Sequence, residues 1–249
     1  SAALQSRLQP IVEQHATPGQ QAAFFQRRGQ LALRCHRSVA TTEAVQYMQR
    51  SFAIYLEAGM QEHLPAAHFM LGFTLLWHDE LAAAATELQT TLRLAEQNGD
   101  RSLQARALTY LTIAARRRDQ VEATQCLVTQ ALAIATQAHM PEYVALARAN
   151  QAWVAWRQQN DADVREHGAA ALELWQQLPV THASAPFQWT ARWPLLAAAL
   201  RAEELVTTID HARALLDPHQ QQLPDLLATR LAQALRAWDD GLSAQALML

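Results

Sequence analysis

The chain has 249 residues, of which 50% are hydrophobic and 17% charged, with 7 Gly and 9 Pro, a composition typical of a globular, helix-rich protein. A formal net charge of -3 and a pI near 6.3 give no electrostatic reason to expect nucleic acid or an anionic membrane surface as a partner. Cys35 and Cys126 are too few for a disulfide framework, and no segment is apolar over the roughly 20 residues that a membrane span needs. We therefore expect a cytoplasmic protein, and the absence of an initial Met leads us to expect a piece of a longer one.

The N-terminal segment predicts a leading helix over residues 2–16, ended by Thr17-Pro18-Gly19. Beyond it, residues of matching size return every 40 positions. Large apolar residues share two such columns and small residues a third: Phe52, Leu92, Leu132 and Leu172; Ile54, Leu94, Ile134 and Leu174; Ala32, Gly72, Thr112 and Ala152. A repeat of this length indicates stacked helix pairs that cover one another's apolar faces.

The second unit shows the helix pair most clearly. Its runs are 65–77 and 81–97, and apolar residues in the later run follow the spacing of a helix stripe. Asn98-Gly99 predicts a left-handed C-terminal cap, and Asp100 an N-cap for the next helix. At the corresponding joint of the third unit His139 stands in place of Gly99, and Pro141 suits the first turn of the following helix.

Taken in chain order, the sequence predicts five helix pairs and a capping helix over residues 224–238. The pairs are expected at about 20–58, 63–98, 102–138, 142–178 and 185–217, of which the last is divergent. Its start follows the helix-poor stretch 178–186, and Pro194 should kink or shorten its first helix unless it lies in the first turn. The fold class is thus all-α, a right-handed α-α superhelix of about 12 helices that forms one solenoid over residues 1–249.

The second unit resembles the tetratricopeptide repeat family. Leu71-Gly72, Leu75, Ala84 and Leu88 match the family's large-small pair, its next large position and the small and large positions of the second helix. The third unit has Leu111-Thr112 and Val128 with Thr124 in place of Ala, and the fourth departs further, with Gln151-Ala152 and Gly168. Units of 40 residues are also similar to the helical repeat regions of multidomain bacterial signalling ATPases, including MalT-like, LuxR-type transcription regulators.

In the tetratricopeptide family the first helix of each pair lines the concave face, so the resemblance implies which side chains line a groove. The candidate binding residues on this basis are Arg37, Phe69, Phe73, Trp77, Arg116, Arg117, Trp153, Trp156, Arg157 and Trp193, with Trp189 one turn before the last. Indole rings and guanidinium groups together suit a peptide segment, or a sugar or other small polar molecule with one apolar face. The alternative is that these Trp residues fill gaps between long helices and belong to the core.

No motif in the sequence predicts catalysis. No two of the ten His residues have the helical spacing that presents two imidazoles to one metal, and there is no phosphate-binding Gly-rich loop and no nucleophile beside a base in a known motif. We therefore expect no enzyme activity, no metal and no cofactor.

Three roles remain open. The first is a protein-interaction or sensor region of a bacterial regulatory or signalling protein, whose groove binds a partner segment or a neighbouring domain of the same chain. The second, implied by the resemblance to MalT-like regulators, is a domain that binds a small-molecule inducer. The third is a structural spacer or oligomerisation scaffold.

Overall fold

The computed structural model describes residues 2–179 and 182–248, and this part of the chain is all-α, without a strand. It contains 13 α-helices and two short 3-10 turns, Gln61–His63 and Ala185–Phe187. The helices are α1 (Ala2–His15), α2 (Pro18–Cys35), α3 (Thr42–Glu57), α4 (Leu64–Trp77), α5 (Leu81–Gln97), α6 (Arg101–Arg117), α7 (Val121–Gln137), α8 (Pro141–Arg157), α9 (Asp161–Gln176), α10 (Trp189–Arg201), α11 (Leu205–Leu215), α12 (Asp225–Asp239) and α13 (Ser243–Met248).

The helices stack in chain order. Each packs mainly against its neighbours in sequence, as in α4 with α5 and α5 with α6. The first helices of successive pairs also contact one another, α4 with α6, α6 with α8 and α8 with α10. The prediction of an all-α helical repeat solenoid is confirmed; the short helix α13 was not predicted.

The joints between helices repeat with a period of half a unit. A residue with φ between 53° and 71° follows each of α3 to α8, at Gly59, Asp79, Gly99, Asp119, His139 and Gln159. At every one of these joints the next N–H donates to the carbonyl five residues back, for example Asp100 to Ala95 and Met140 to Ala135. This is the Schellman closure, which satisfies carbonyls that a helix end leaves free. The predicted cap at Gly99 and its counterpart at His139 are thereby confirmed.

Side-chain caps set the starts of several helices. Asp100 accepts from the Leu103 N–H at 2.9 Å, as predicted. Thr17 begins α2 with a capping box, in which its hydroxyl accepts from the Gln20 N–H and the Gln20 side chain accepts from the Thr17 N–H. Thr17 and Pro18 therefore start the second helix in addition to following the first.

Two glycines allow helices to approach closely. A Cβ added at Gly72 would stand 2.9 Å from Leu88 Cγ and 3.2 Å from the Ala84 carbonyl oxygen, so α4 and α5 meet there without a side chain between them. Gly168 occupies a position where the earlier units have a large residue. Here Leu195 of α10 fills the space, since an added Cβ would lie 2.6 Å from its Cγ. The close packing of the last pair onto α9 thus depends on a small residue at position 168 and a large one at position 195.

The faces of α4 and α6 that turn away from the second helices are not open. We call the surface formed by α2, α4, α6 and α8 the first-helix face, and residues 182–188 and 216–224 the crossing loops. Phe187, in the earlier crossing loop, packs against Phe73, Trp77 and Tyr110 of α4 and α6. The later loop bonds to the end of α2 through Arg37. The chain therefore covers part of its own predicted groove.

Candidate functional site

The ten predicted binding residues lie in different environments. Phe69, Trp77, Arg116 and Trp153 are buried, Phe73, Trp156, Trp193 and Arg37 are partly exposed, and Arg117 and Arg157 are exposed. Their common origin in the first helices places most of them on the first-helix face. What differs is which of them the crossing loops cover.

Phe187 is the apolar anchor of the crossing loops. It is 2% exposed, and its ring stacks on Trp77 with 5.2 Å between centroids and 13° between planes. Phe73 and Tyr110 meet it edge-on, with centroids 6.4 Å away in each case. Offset and edge-to-face arrangements of this kind are the favourable ones for aromatic rings. Phe187 therefore covers part of Phe73 and one face of the Trp77 ring.

Hydrogen bonds hold the later crossing loop against the end of α2. Arg37 donates through Nε and Nη2 to the Gln220 carbonyl at 3.0 and 2.8 Å, and through Nη2 to the Asp217 carbonyl at 3.0 Å. In return the Gln222 N–H donates to the Arg37 carbonyl at 3.1 Å. The Gln221 N–H donates to the Pro186 carbonyl at 2.9 Å, which ties the two crossing loops together.

Arg116 is a buried cation under these loops. It is 7% exposed, and its Nη1 donates to Asn150 Oδ1 at 3.2 Å and to the Thr190 carbonyl at 2.9 Å. Its guanidinium carbon lies 5.6 Å from the Trp153 ring centre and 5.3 Å from that of Trp189. Burial lowers the pKa of Arg116 to about 9. Among the described residues no carboxylate forms an ion pair with it. Its hydrogen bonds join α6 to α8 and α10, and burial keeps the guanidinium out of reach of a partner.

A cavity of about 630 Å³ remains between the repeats and the crossing loops. One wall comes from the ends of α2, α4 and α6 and the other from α10, the later crossing loop and the start of α12. Three indole rings border it, those of Trp77, Trp189 and Trp193. The other lining residues are Val39, Ala40, His78, Asp79, Arg117, Gln221, Gln222, Leu223, Pro224, Asp225 and Leu227.

Most polar groups of this cavity already have partners. Arg117 donates to the Leu76 carbonyl at 2.6 Å and to Asp79 Oδ1 at 3.0 Å, which balances its charge locally. The Trp189 indole N–H donates to Gln221 Oε1 at 2.8 Å, and Gln221 Nε2 donates to the Ser38 carbonyl at 2.8 Å. Asp225, in the first turn of α12, forms no ion pair with a described residue. The cavity walls are therefore mainly apolar and aromatic, and few of the lining side chains carry a charge that no neighbour balances.

The remaining predicted residues stand one repeat further along. Arg157 pairs with Asp119 Oδ2 at 2.7 Å, the same relationship as Arg117 with Asp79 one unit earlier. Its guanidinium carbon is 5.5 Å from the Trp156 ring centre, and Trp156 also packs on the cluster around Val164 and Leu195. Trp153, Trp156 and Arg157 thus form a structural group outside the cavity.

Phe187 and Gln221 contribute to the site and were not among the predicted binding residues. Trp189 was predicted to lie on the groove together with Trp193, and both line the cavity. Phe187 and Gln221 come from segments without a repeat pattern, so the forty-residue register says nothing about them. The visible signal was composition, because Phe187 directly follows the helix-poor stretch 178–186.

The described residues contain no group of three or more His, Cys, Asp or Glu side chains that could hold a metal ion. No helix in the same part of the chain is long and apolar enough to cross a membrane. No protein-family model matches the sequence, and a search of curated proteins finds no significant relative.

Proposed function

We propose that this protein is a non-catalytic sensor whose cavity beside Trp77, Trp189 and Trp193 binds a small polar molecule with one flat apolar face. One observation carries the proposal: the repeats form one wall of the cavity, and the crossing loops with α10 and α12 form the other. A volume of about 630 Å³ lies within the usual range for small-molecule sites.

The state of the first-helix face favours a small ligand over a partner segment. Phe187 already fills the aromatic recess between α4 and α6, and the later crossing loop runs past the end of α2. A partner segment would have to displace both loops, whereas a small molecule fits in the space that they leave.

The charges favour a ligand without a net negative charge. Arg117 is balanced by Asp79, and Asp225 adds a carboxylate at the cavity wall. An anion would meet this carboxylate without an unpaired cation in the lining to offset it. Indole faces instead favour the C–H face of a polyol or the plane of a heterocycle, with Gln222 and Asp225 as hydrogen-bonding groups.

Ligand binding at such a site would stabilise the docked arrangement of the crossing loops. A molecule in contact with Trp77 on one side and with Gln222 on the other has more contacts when both walls are in place, so it shifts the population toward that state. In a MalT-like regulator, which the repeats resemble, the molecule would act as an inducer in the cytoplasm. Cys35 and Cys126 are both free and exposed, which suits a reducing compartment.

The test is a screen of small polyols and heterocycles by intrinsic fluorescence and thermal shift. We expect a binder to shift Trp emission and raise the unfolding temperature of the wild type. Trp193→Ala removes a partly exposed cavity wall and should abolish both effects. Trp156→Ala is the matched control, because Trp156 is also partly exposed on a first helix but lies outside the cavity. Equal loss of binding in both variants, or retention in both, would place the ligand elsewhere.

A partner-segment function is the second candidate, favoured by the recess that holds Phe187. A protein segment with an aromatic anchor could take that place once the crossing loops leave it. Phe187→Ala should then increase capture of such a segment, while a small-ligand site would be weakened by the same change. If neither the wild type nor Phe187→Ala binds a segment or a small molecule, the role of structural spacer remains.

A further inference from the structure

A second cavity of about 270 Å³ lies on the other side of the crossing loops. It is bounded by the end of α9, the start of α10, the end of α11 and residues of both loops. Its polar lining includes Gln188, Arg192, Asp217, His219 and Gln220. None of these residues lines the cavity beside Trp77.

Arg192 brings a cation to this cavity, with no carboxylate of the described residues within ion-pair distance. Its one side-chain hydrogen bond to a described residue is from Nη2 to Gln188 Oε1, at a long 3.4 Å, and its Nε is buried without an acceptor among the same residues. Among the described ion pairs none includes Arg192. Burial lowers the pKa of Arg192, and that of nearby His211 is lowered by burial and by the charge on Arg192. The charge on Asp217 opposes this lowering of the Arg192 pKa from beyond ion-pair distance, so the guanidinium has no direct carboxylate partner among the described residues.

Gln220 brings an unpaired acceptor to the same cavity. It is 6% exposed, and its Nε2 donates to the Ala185 carbonyl at 3.0 Å, which fixes the orientation of the amide. Its Oε1 is buried and has no donor among the residues that the structure describes. Unsatisfied buried groups cost free energy that a bound molecule can recover. A fitting molecule must thus offer an acceptor to Arg192 and a donor to Gln220.

Asp217 adds a negative charge at the cavity wall. Its Oδ1 accepts from the His219 N–H at 2.7 Å and lies 2.9 Å from His219 Nδ1. Bonds from His219 lower the pKa of Asp217, so the carboxylate is charged near neutral pH. The cavity therefore combines a cation and an anion with a neutral acceptor.

We propose that this second cavity binds a free α-amino acid as a zwitterion. The carboxylate faces Arg192, where a planar guanidinium can accept it in a two-point contact. The ammonium faces Gln220 Oε1 and Asp217. The volume suits a molecule of this size, with a small side chain lying toward Trp175 and Leu178.

The test is calorimetric titration of the whole chain with glycine, alanine, serine and valine. The matched probes are the amide of each amino acid, which lacks the carboxylate, and the N-acetyl derivative, which lacks the ammonium. We expect at least one amino acid to bind, and both derivatives to bind about tenfold more weakly or worse, since each loses a charge-assisted contact.

Arg192→Gln keeps a polar side chain and should lose the binding, while Arg230→Gln, at an exposed position of α12, should keep it. Circular dichroism establishes whether both variants fold. If Arg192→Gln does not fold, Asp217→Asn is the second test, because it removes the carboxylate that faces the ammonium and should also lose the binding. No binding by any of the four amino acids would overturn the proposal, and so would equal binding of an amino acid and its amide. Binding of inorganic phosphate alone, dependent on Arg192, would assign a simple anion site instead.

Discussion

The Arg116 guanidinium donates a hydrogen bond of 2.9 Å to the carbonyl oxygen of Thr190 in α10. Four residues further along the same helix stands Pro194, whose ring nitrogen has no hydrogen with which to bond that oxygen. Pro194 is the sixth residue of α10, beyond the first turn where a proline is readily accommodated. The Arg116 side chain of α6 thus supplies the hydrogen-bond donor that Pro194 cannot provide, and α10 continues to Arg201.

This relationship predicts coupling between Arg116 and Pro194. Arg116→Met should lower the free energy of unfolding by about 2 to 4 kcal/mol, because it leaves the Thr190 carbonyl and Asn150 Oδ1 without their donor. In a Pro194→Ala background the backbone N–H of residue 194 can take over at Thr190, and the loss should be smaller by about 1 kcal/mol. Urea unfolding of the four proteins measures the cycle; strictly additive effects would show that the two residues act independently.

Phe187 should carry much of the docking energy of the crossing loops. Phe187→Ala is expected to lower the free energy of unfolding by about 3 to 5 kcal/mol, the usual cost of emptying a buried aromatic site. Trp77 loses its stacked neighbour, so the emission maximum should also move to longer wavelength. Phe187→Leu serves as the control, since a side chain of similar volume should cost under about 1.5 kcal/mol. A small effect of the Ala variant would mean that the loop is loosely held.

The repeat could be predicted from the sequence because its physical cause is local and periodic. Gly99 and His139 mark joints since each helix must close its free carbonyls in the same way, and the apolar columns follow from stacking one pair on the next. Gly72 appeared as a small residue in a column of small residues, and the short distance to Leu88 explains it. These features depend on residues near one another in sequence or at a fixed spacing.

The site was predictable only in part because it is assembled across irregular segments. Trp77, Arg117 and Trp193 were predicted and line the cavity, but Trp153 and Arg116 were offered as groove residues and are buried. The start of α10 buries Arg116. The position of α10 in turn depends on Leu195, which fills the space beside Gly168. No periodicity encodes that contact, so the occupied state of the first-helix face could not be inferred from the register.

The joints allow a stabilising change at Gln159. Its φ of 59° is in the left-handed region, where a side chain costs about 1 kcal/mol relative to glycine, and no side-chain bond of Gln159 offsets this among the described residues. Gln159→Gly should therefore raise the free energy of unfolding by about 0.5 to 1 kcal/mol. The reciprocal variant, Gly99→Ala, should lower it by a similar amount, because Gly99 has φ 67° with open space around it. Chemical denaturation measures both; destabilisation by Gln159→Gly would contradict the account of the joints.

His211 should make stability depend on pH below neutrality. Burial, then the charge on Arg192, lowers its pKa below the ordinary 6.5, and Asp210 opposes them. The unfolded chain therefore binds a proton at a pH where the folded chain does not, so stability is complete above about 6.5 and falls as the pH drops from there toward the folded pKa. Urea midpoints at pH 7.5 and 5.5 should differ in the wild type and differ less in His211→Gln. An unchanged difference in that variant would assign the effect to another group.

The most direct test of the sensor proposal is amide hydrogen exchange with and without a small molecule that binds beside Trp193. The informative amides are those of Gln221 and Gln222, which donate to the Pro186 and Arg37 carbonyls and so report whether the later crossing loop is docked. We predict that the ligand slows hydrogen exchange at both amides and leaves the exchange rates of the α3 amides unchanged. Binding without added protection at Gln221 and Gln222 would contradict the claim that the cavity couples a ligand to the position of the crossing loops.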